Sequence, residues 1–192
     1  MKKIAILTAA GVLGFAAPAF ADDDSTATST PSAQEQCRTE RTQMGKELFA
    51  QTYGTNKNRA NAFGKCVSKR SAKTEKAEKS ARTGANAACR AERDADPAAF
   101  TKKYGTGKKG ANAFGKCVSG KAKAMKAAEV DAQVDDDVSA AKSCRAERTA
   151  DPAGFRAKYG TNKNRANAFG KCVSAKAKAA ADARRAEAQQ QS

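Results

Sequence analysis

The strongest constraint on how this chain folds is a threefold internal repeat. Residues 53–68, 104–119 and 159–174 agree at 13 of 16 positions, and the first and third stretches are identical. Upstream of each stands Cys-Arg-x-Glu-Arg, beginning at Cys37, Cys89 and Cys144, followed by a Phe four residues before the Tyr. A repeat of this size is one supersecondary unit that buries its apolar face within itself or against its neighbours. The intervening stretches differ in length and composition. The chain therefore divides into a leader at 1–21, a lead-in at 22–34, units at 35–68, 87–119 and 142–174, spacers at 69–86 and 120–141, and a tail at 175–192.

Cysteine spacing follows the same division. Cys37 and Cys66 lie 29 residues apart, and Cys89 and Cys117, then Cys144 and Cys172, lie 28 apart. Fifteen pairings of six cysteines exist, and the simplest is one disulfide per unit. Closing a loop of that size stabilises the fold by about 3.5 kcal/mol in the chain-entropy model, which matters for units too small to build a full core. Neither the Cys-x-x-Cys of a thiol-redox site nor the close cysteine pairs of a zinc site occur. No metal or other cofactor is expected.

Each unit reads as a helical hairpin, and the fold class as all-α: three tandem disulfide-stapled hairpins joined by Ala/Lys-rich, mostly helical spacers. In the third unit, residues 140–149 are Ala-rich. Asp151-Pro152 supplies an N-cap and a first-turn proline, and Gly160 is placed to end the short helix in a left-handed cap. A final helix from about Arg165 carries Ala166, Phe169, Cys172 and Val173 at the spacing of a buried stripe. Gly170, repeated as Gly64 and Gly115, suggests close backbone approach at a helix crossing. The first unit departs at Gln43-Met44-Gly45-Lys46 and is one residue longer, which requires a break between its Cys segment and its Phe/Tyr segment. In the spacers, Glu75/Lys79 and Glu78/Arg82 fit a solvated helix that Thr83-Gly84 would stop, and Asp135-Asp136-Asp137 would cap a new one. The scarce aromatics, eight Phe and three Tyr with no Trp, then supply three small cores.

Residues 1–21 have the form of an export signal: Lys2 and Lys3, an apolar run over 4–17, and Ala19-Phe20-Ala21 before three aspartates. The run falls short of the roughly 20 residues that span a bilayer. No later stretch is apolar enough, so no transmembrane segment is expected once the signal is removed. The expected location is outside the inner membrane: secreted, associated with the cell envelope, or periplasmic if an outer membrane is present. The 22–34 lead-in, acidic and then Ser/Thr/Pro-rich, reads as disordered.

The chain has no His, which removes the commonest general base and metal ligand together. Glu40, Glu92 and Glu147 stand between arginines, a setting that favours the carboxylate over the protonated acid a catalyst would need. They read as members of an ion-pair network, and no catalytic residue is expected. Gly105-Thr106-Gly107-Lys108 lacks the remainder of a phosphate-binding loop and reads as a turn. Asn61, Asn112 and Asn167 are placed either to cap the turn that precedes each of them or to point outward and hydrogen-bond a ligand, and the capping reading is preferred.

The formal charge is +16, and loss of Lys2 and Lys3 takes it to +14. The excess recurs along the chain. Lys57, Arg59 and Lys65 in the first unit, Lys108, Lys109 and Lys116 in the second, and Lys163, Arg165 and Lys171 in the third form a basic turn apiece. Three weak anion sites on one chain reinforce one another on a long polyanion, because each later engagement is intramolecular. Anionic cell-wall polymer or acidic polysaccharide is the partner expected. Nucleic acid would be bound without sequence preference, since no base-reading motif is present. The alternative is a structural scaffold or protein-binding helical repeat with no polyanion specificity.

Cys-Arg-Ala-Glu-Arg, Asp-Pro-Ala-x-Phe, Lys-Tyr-Gly-Thr-Asn-Lys-Asn and Asn-Ala-Phe-Gly-Lys-Cys-Val-Ser together resemble a tandem module of exported bacterial proteins of unknown function, particularly actinobacterial ones. The first unit departs from it at Asp-Pro, and the second at Gly107, Lys109 and Gly110. The resemblance implies an exported bacterial protein and supplies no activity.

Overall fold

The structure is a computed structural model that describes residues 29–106 and 109–190. The segment read as an export signal, most of the lead-in, Gly107 and Lys108 lie outside the described residues. Among the described residues there are seven helices and no strands: α1 (Ala33–Met44), α2 (Lys46–Tyr53), α3 (Ala62–Ala95), α4 (Pro97–Tyr104), α5 (Ala113–Ala150), α6 (Pro152–Tyr159) and α7 (Ala168–Gln190). The disulfides join Cys37 to Cys66, Cys89 to Cys117 and Cys144 to Cys172, with Cα–Cα separations of 6.0, 6.1 and 6.0 Å.

Local chemistry sets the short helices. Asp96 and Asp151 accept hydrogen bonds from the backbone N–H groups of Ala99 and Gly154, each at 2.9 Å, and the following proline opens α4 and α6. Where the first unit lacks Asp-Pro, Gly45 at φ 80° breaks the chain between α1 and α2 instead. Ser32 and Glu35 form a reciprocal capping box that starts α1 at Ala33, so the lead-in expected to be disordered to residue 34 is ordered at its end.

The spacers are not separate elements. α3 runs unbroken from the second cysteine of the first unit to the first cysteine of the second, through the expected stop at Thr83-Gly84. α5 likewise passes through Asp135-Asp136-Asp137, where a new helix was expected to begin. Both spacers are dominated by strong helix formers, and burial of Ala77, Ala81 and Ala85 outweighs the roughly 1 kcal/mol cost of Gly84. At 34 residues, α3 is about 51 Å long.

Contacts between the long helices show that they run antiparallel in sequence order. Arg70 meets Asp137 and Glu78 meets Lys126 between α3 and α5, while Ser143 meets Lys176 and Asp136 meets Arg184 between α5 and α7. Glu78 therefore pairs across helices, not with Arg82 one turn on. Because α3 and α5 are antiparallel, the first and third units lie together at one end, and the second stands alone at the other.

The expectation of three small cores is corrected accordingly. The first and third units share one core that includes Leu48, Phe49, Val138, Phe155, Phe169 and Val173. The second keeps a small one of Cys89, Phe100, Ala113 and Cys117. Within each unit the short-helix Phe packs on its Tyr with ring centroids 5.0 Å apart.

Three smaller expectations also fail. Ala166 is exposed, and the buried stripe of α7 is Ala168, Phe169, Cys172, Val173 and Ala177. Gly64 and Gly115 have nothing within 4 Å of where a Cβ would stand, so the recurring glycine does not mark a recurring crossing. Gly160 ends α6 in an extended conformation, φ −76°. What it supplies is room, since a Cβ there would come within 2.5 Å of the Arg165 Cβ.

Candidate functional site

Each of the three Glu residues of Cys-Arg-x-Glu-Arg lies between a tyrosine and a cation from the far side of its hairpin. Glu92 accepts hydrogen bonds from the Tyr104 hydroxyl at 3.1 Å and pairs with Lys103 at 2.7 Å and Lys121 at 3.1 Å. Glu147 repeats this with Tyr159 at 3.1 Å, Lys158 at 2.8 Å and Lys176 at 3.0 Å. Hydrogen bonds from the two lysines hold both carboxyls down, at about 2.

In the first unit the triad is built differently. Thr52 replaces the lysine before the tyrosine, Arg70 replaces the lysine four residues after the second cysteine, and Glu40 is wholly buried between Arg70 and the Tyr53 hydroxyl. Arg70 is also wholly buried and reaches Asp137 on α5 at 2.7 Å, with Lys73 on the same carboxylate at 2.9 Å and Lys69 at 3.5 Å. Burial raises the Glu40 carboxyl above its ordinary value despite the guanidinium beside it. Burial acts the same way on Asp137, but Lys69, Lys73 and Arg70 together bring it below its ordinary value. The ion-pair reading of the three glutamates thus has a geometry: each ties the first helix of its unit to the last.

The basic turns are tied from within. The Asn61 Oδ1 accepts from the Thr55 N–H at 3.0 Å, and its amide donates to the Thr55 hydroxyl at 2.8 Å. Asn112 and Asn167 repeat both bonds with Thr106 and Thr161. Their polar groups face the turn, as expected. Arg59 and Arg165 adopt positive φ, 57° and 50°, at the position where the second unit has Gly110, also at 57°. The glycine that sets the second turn apart thus relieves a strained position that the other two fill with arginine.

Lys57, Lys65, Lys109, Lys116, Lys163, Arg165 and Lys171 are exposed, and none forms an ion pair among the described residues. Arg59 differs, being half-buried against Gly54 with its Nη1 sequestered and unpartnered. The first and third turns are brought close together: the Thr52 carbonyl, just before the first turn, lies 3.9 Å from the Cβ position of Gly170, just after the third. The second turn is at the opposite end.

Sequence reasoning missed Arg70, Asp137, and the pairing of each Glu with a Tyr. The signal was present. A Glu three residues after each first cysteine recurs with a cation four residues after each second one, Arg70, Lys121 and Lys176. Among the described residues, no group of His, Cys, Asp and Glu is arranged to hold a metal, and no helix is long and apolar enough to cross a membrane. No protein-family model, curated protein or solved structure matches the chain.

Proposed function

We propose that this is an exported, non-enzymatic repeat protein whose basic turns associate with anionic envelope or extracellular polymers. The observation that carries the reading is the isolation of the turn cations. The repeat stretches that hold the turns contain no carboxylate, and Lys57, Lys65, Lys109, Lys116, Lys163, Arg165 and Lys171 are exposed and in no ion pair among the described residues, whereas the repeated glutamates are each engaged by their own cations. Cations left over in this way create a positive potential that attracts polyanions. The first and third turns, at one end, act together on one polymer, and the second turn, a helix length away, can take another. Three disulfides suit a chain that leaves the reducing cytoplasm, as the leader and the resemblance to exported repeat modules imply.

The test measures binding of the mature chain to acidic polysaccharide, anionic wall polymer, duplex DNA and anionic vesicles at low and high salt. Affinity is expected to fall steeply with salt. Replacing Lys57, Lys65, Lys163 and Lys171 with Gln should weaken it more than replacing Lys109 and Lys116. Binding that is indifferent to salt, or unchanged by both sets, would overturn the reading.

A further inference from the structure

The heptapeptide Ala-Phe-Gly-Lys-Cys-Val-Ser begins α3, α5 and α7 at Ala62, Ala113 and Ala168. In α7 it is covered. Phe169 and Val173 are 4% and 1% exposed, α2 lies against them with Thr52 over Gly170, and Arg148, 4.9 Å from the Phe169 ring centre, donates to the Gln51 Oε1 at 2.8 Å.

The second unit presents the same acceptor face uncovered. Phe114 and Val118 are half-buried, Gly115 has open space before it, and Arg93 stacks 5.5 Å from the Phe114 ring centre, paired only with its exposed neighbour Asp94. Between α3 and α5 this leaves a groove of about 320 Å³ lined by Arg82, Asn86, Phe114, Gly115, Val118 and Ala122.

Charge indicates what fits it. Seven residues before the first cysteine of the third unit, in the spacer, stands Asp137, which receives Arg70 from just after the first unit; Arg82 holds the same place before the second unit. A first unit with its Arg70 is therefore attracted to the third unit and repelled by the second, whether it belongs to the same chain or to another copy, which brings a further +14 once the leader is removed. The face is matched to a helix that carries carboxylates where the first unit carries a cation and an amide.

We propose that the α3–α5 groove of the second unit docks a short acidic amphipathic helix of a partner protein. An aliphatic side chain would lie on Phe114 and Val118 across Gly115, and carboxylates would meet Arg82 and Arg93.

The test uses the full disulfide-bonded chain and two fluorescent, lactam-constrained helical peptides with the sequence of α2. One carries Lys46→Glu and Gln51→Glu, and the other carries Glu47→Lys and Gln51→Lys. The acidic peptide is expected to bind at physiological salt at least ten-fold more tightly than the basic one. Gly115→Leu, which fills the groove, and the pair Arg82→Glu with Arg93→Glu should each weaken it at least ten-fold, while Gly64→Leu at the equivalent face of the first unit leaves it unchanged. Gly115 has room for a side chain, and circular dichroism checks that the variants fold. Absence of binding, or binding insensitive to both the groove and the arginine variants, overturns the proposal. Binding lost on replacing Lys57 and Lys163 with Gln, but not on altering the groove, assigns the peptide to the basic turns and overturns it equally.

Discussion

The first unit and the other two build the same Glu–Tyr–cation triad in opposite surroundings. Around Glu92 and Glu147 the lysines reach in from solvent and the carboxylates stay partly open to it. Around Glu40 nothing is open, because α5 closes over the site and contributes Asp137. The difference shows how one repeat serves two ends. An exposed triad fastens a hairpin to itself, whereas a buried one, with arginine in place of lysine, also fastens it to a distant part of the chain. Arginine suits the second task because its fork bonds two carboxylates while remaining charged.

The largest expected effect follows from that burial. Replacing Arg70 with Met leaves Glu40 and Asp137 buried without their shared partner and should destabilise the chain by about 3–5 kcal/mol, read from urea unfolding. Lys121→Met and Lys176→Met, at the equivalent places, should cost far less. Equal losses at all three positions would break the contrast.

A second test asks how much each end depends on its disulfide. The second unit has only a small core of its own, so Cys89→Ser with Cys117→Ser should lose about 3.5 kcal/mol and release that end first, seen as early hydrogen exchange in α4. The pair Cys144→Ser and Cys172→Ser should leave the shared core protected longer. A third test uses the repeated valine. Val173→Ala should cost about 2 kcal/mol and Val118→Ala less than about 1, because only the first is covered by α2.

The smallest effect concerns pH. Glu92 and Glu147, held at about 2 against an ordinary 4.5, contribute stability that is complete above pH 4.5 and is lost as pH falls toward 2. Glu40, raised by burial, acts with the opposite sign: its contribution is full below pH 4.5 and is lost as pH rises through its folded value. Urea midpoints across acid pH should therefore show a flatter acid-side decline for Glu92→Gln and a steeper one for Glu40→Gln.

Much of each unit was legible because its determinants are local. The cysteine spacing, Asp96-Pro97 and Asp151-Pro152, the tying asparagines and the break near Gly45 all act within a few residues or one hairpin. How the units pack together was not legible, because it depends on residues that look ordinary in sequence. Asp137 sits in an acidic run that reads as a cap, and Arg70 in a basic spacer that reads as solvated, 67 positions apart in the chain. An alanine-rich helix carries little signal of which neighbour it packs against. The recurring glycine misled for a related reason: its three copies have identical sequence, and only Gly170 has another segment's backbone beside it.

The joining of the first unit to α5 is tested most directly by a double-mutant cycle on Arg70 and Asp137, using Arg70→Met, Asp137→Leu and the double variant in urea unfolding. The double variant should lose clearly less than the sum of the two single ones, the remaining loss coming from Glu40, which still lacks its partner, and the coupling energy should be above about 1.5 kcal/mol. Losses that add to within about 0.5 kcal/mol would mean that the two side chains do not meet, and would contradict the packing of the first and third units at one end of the molecule.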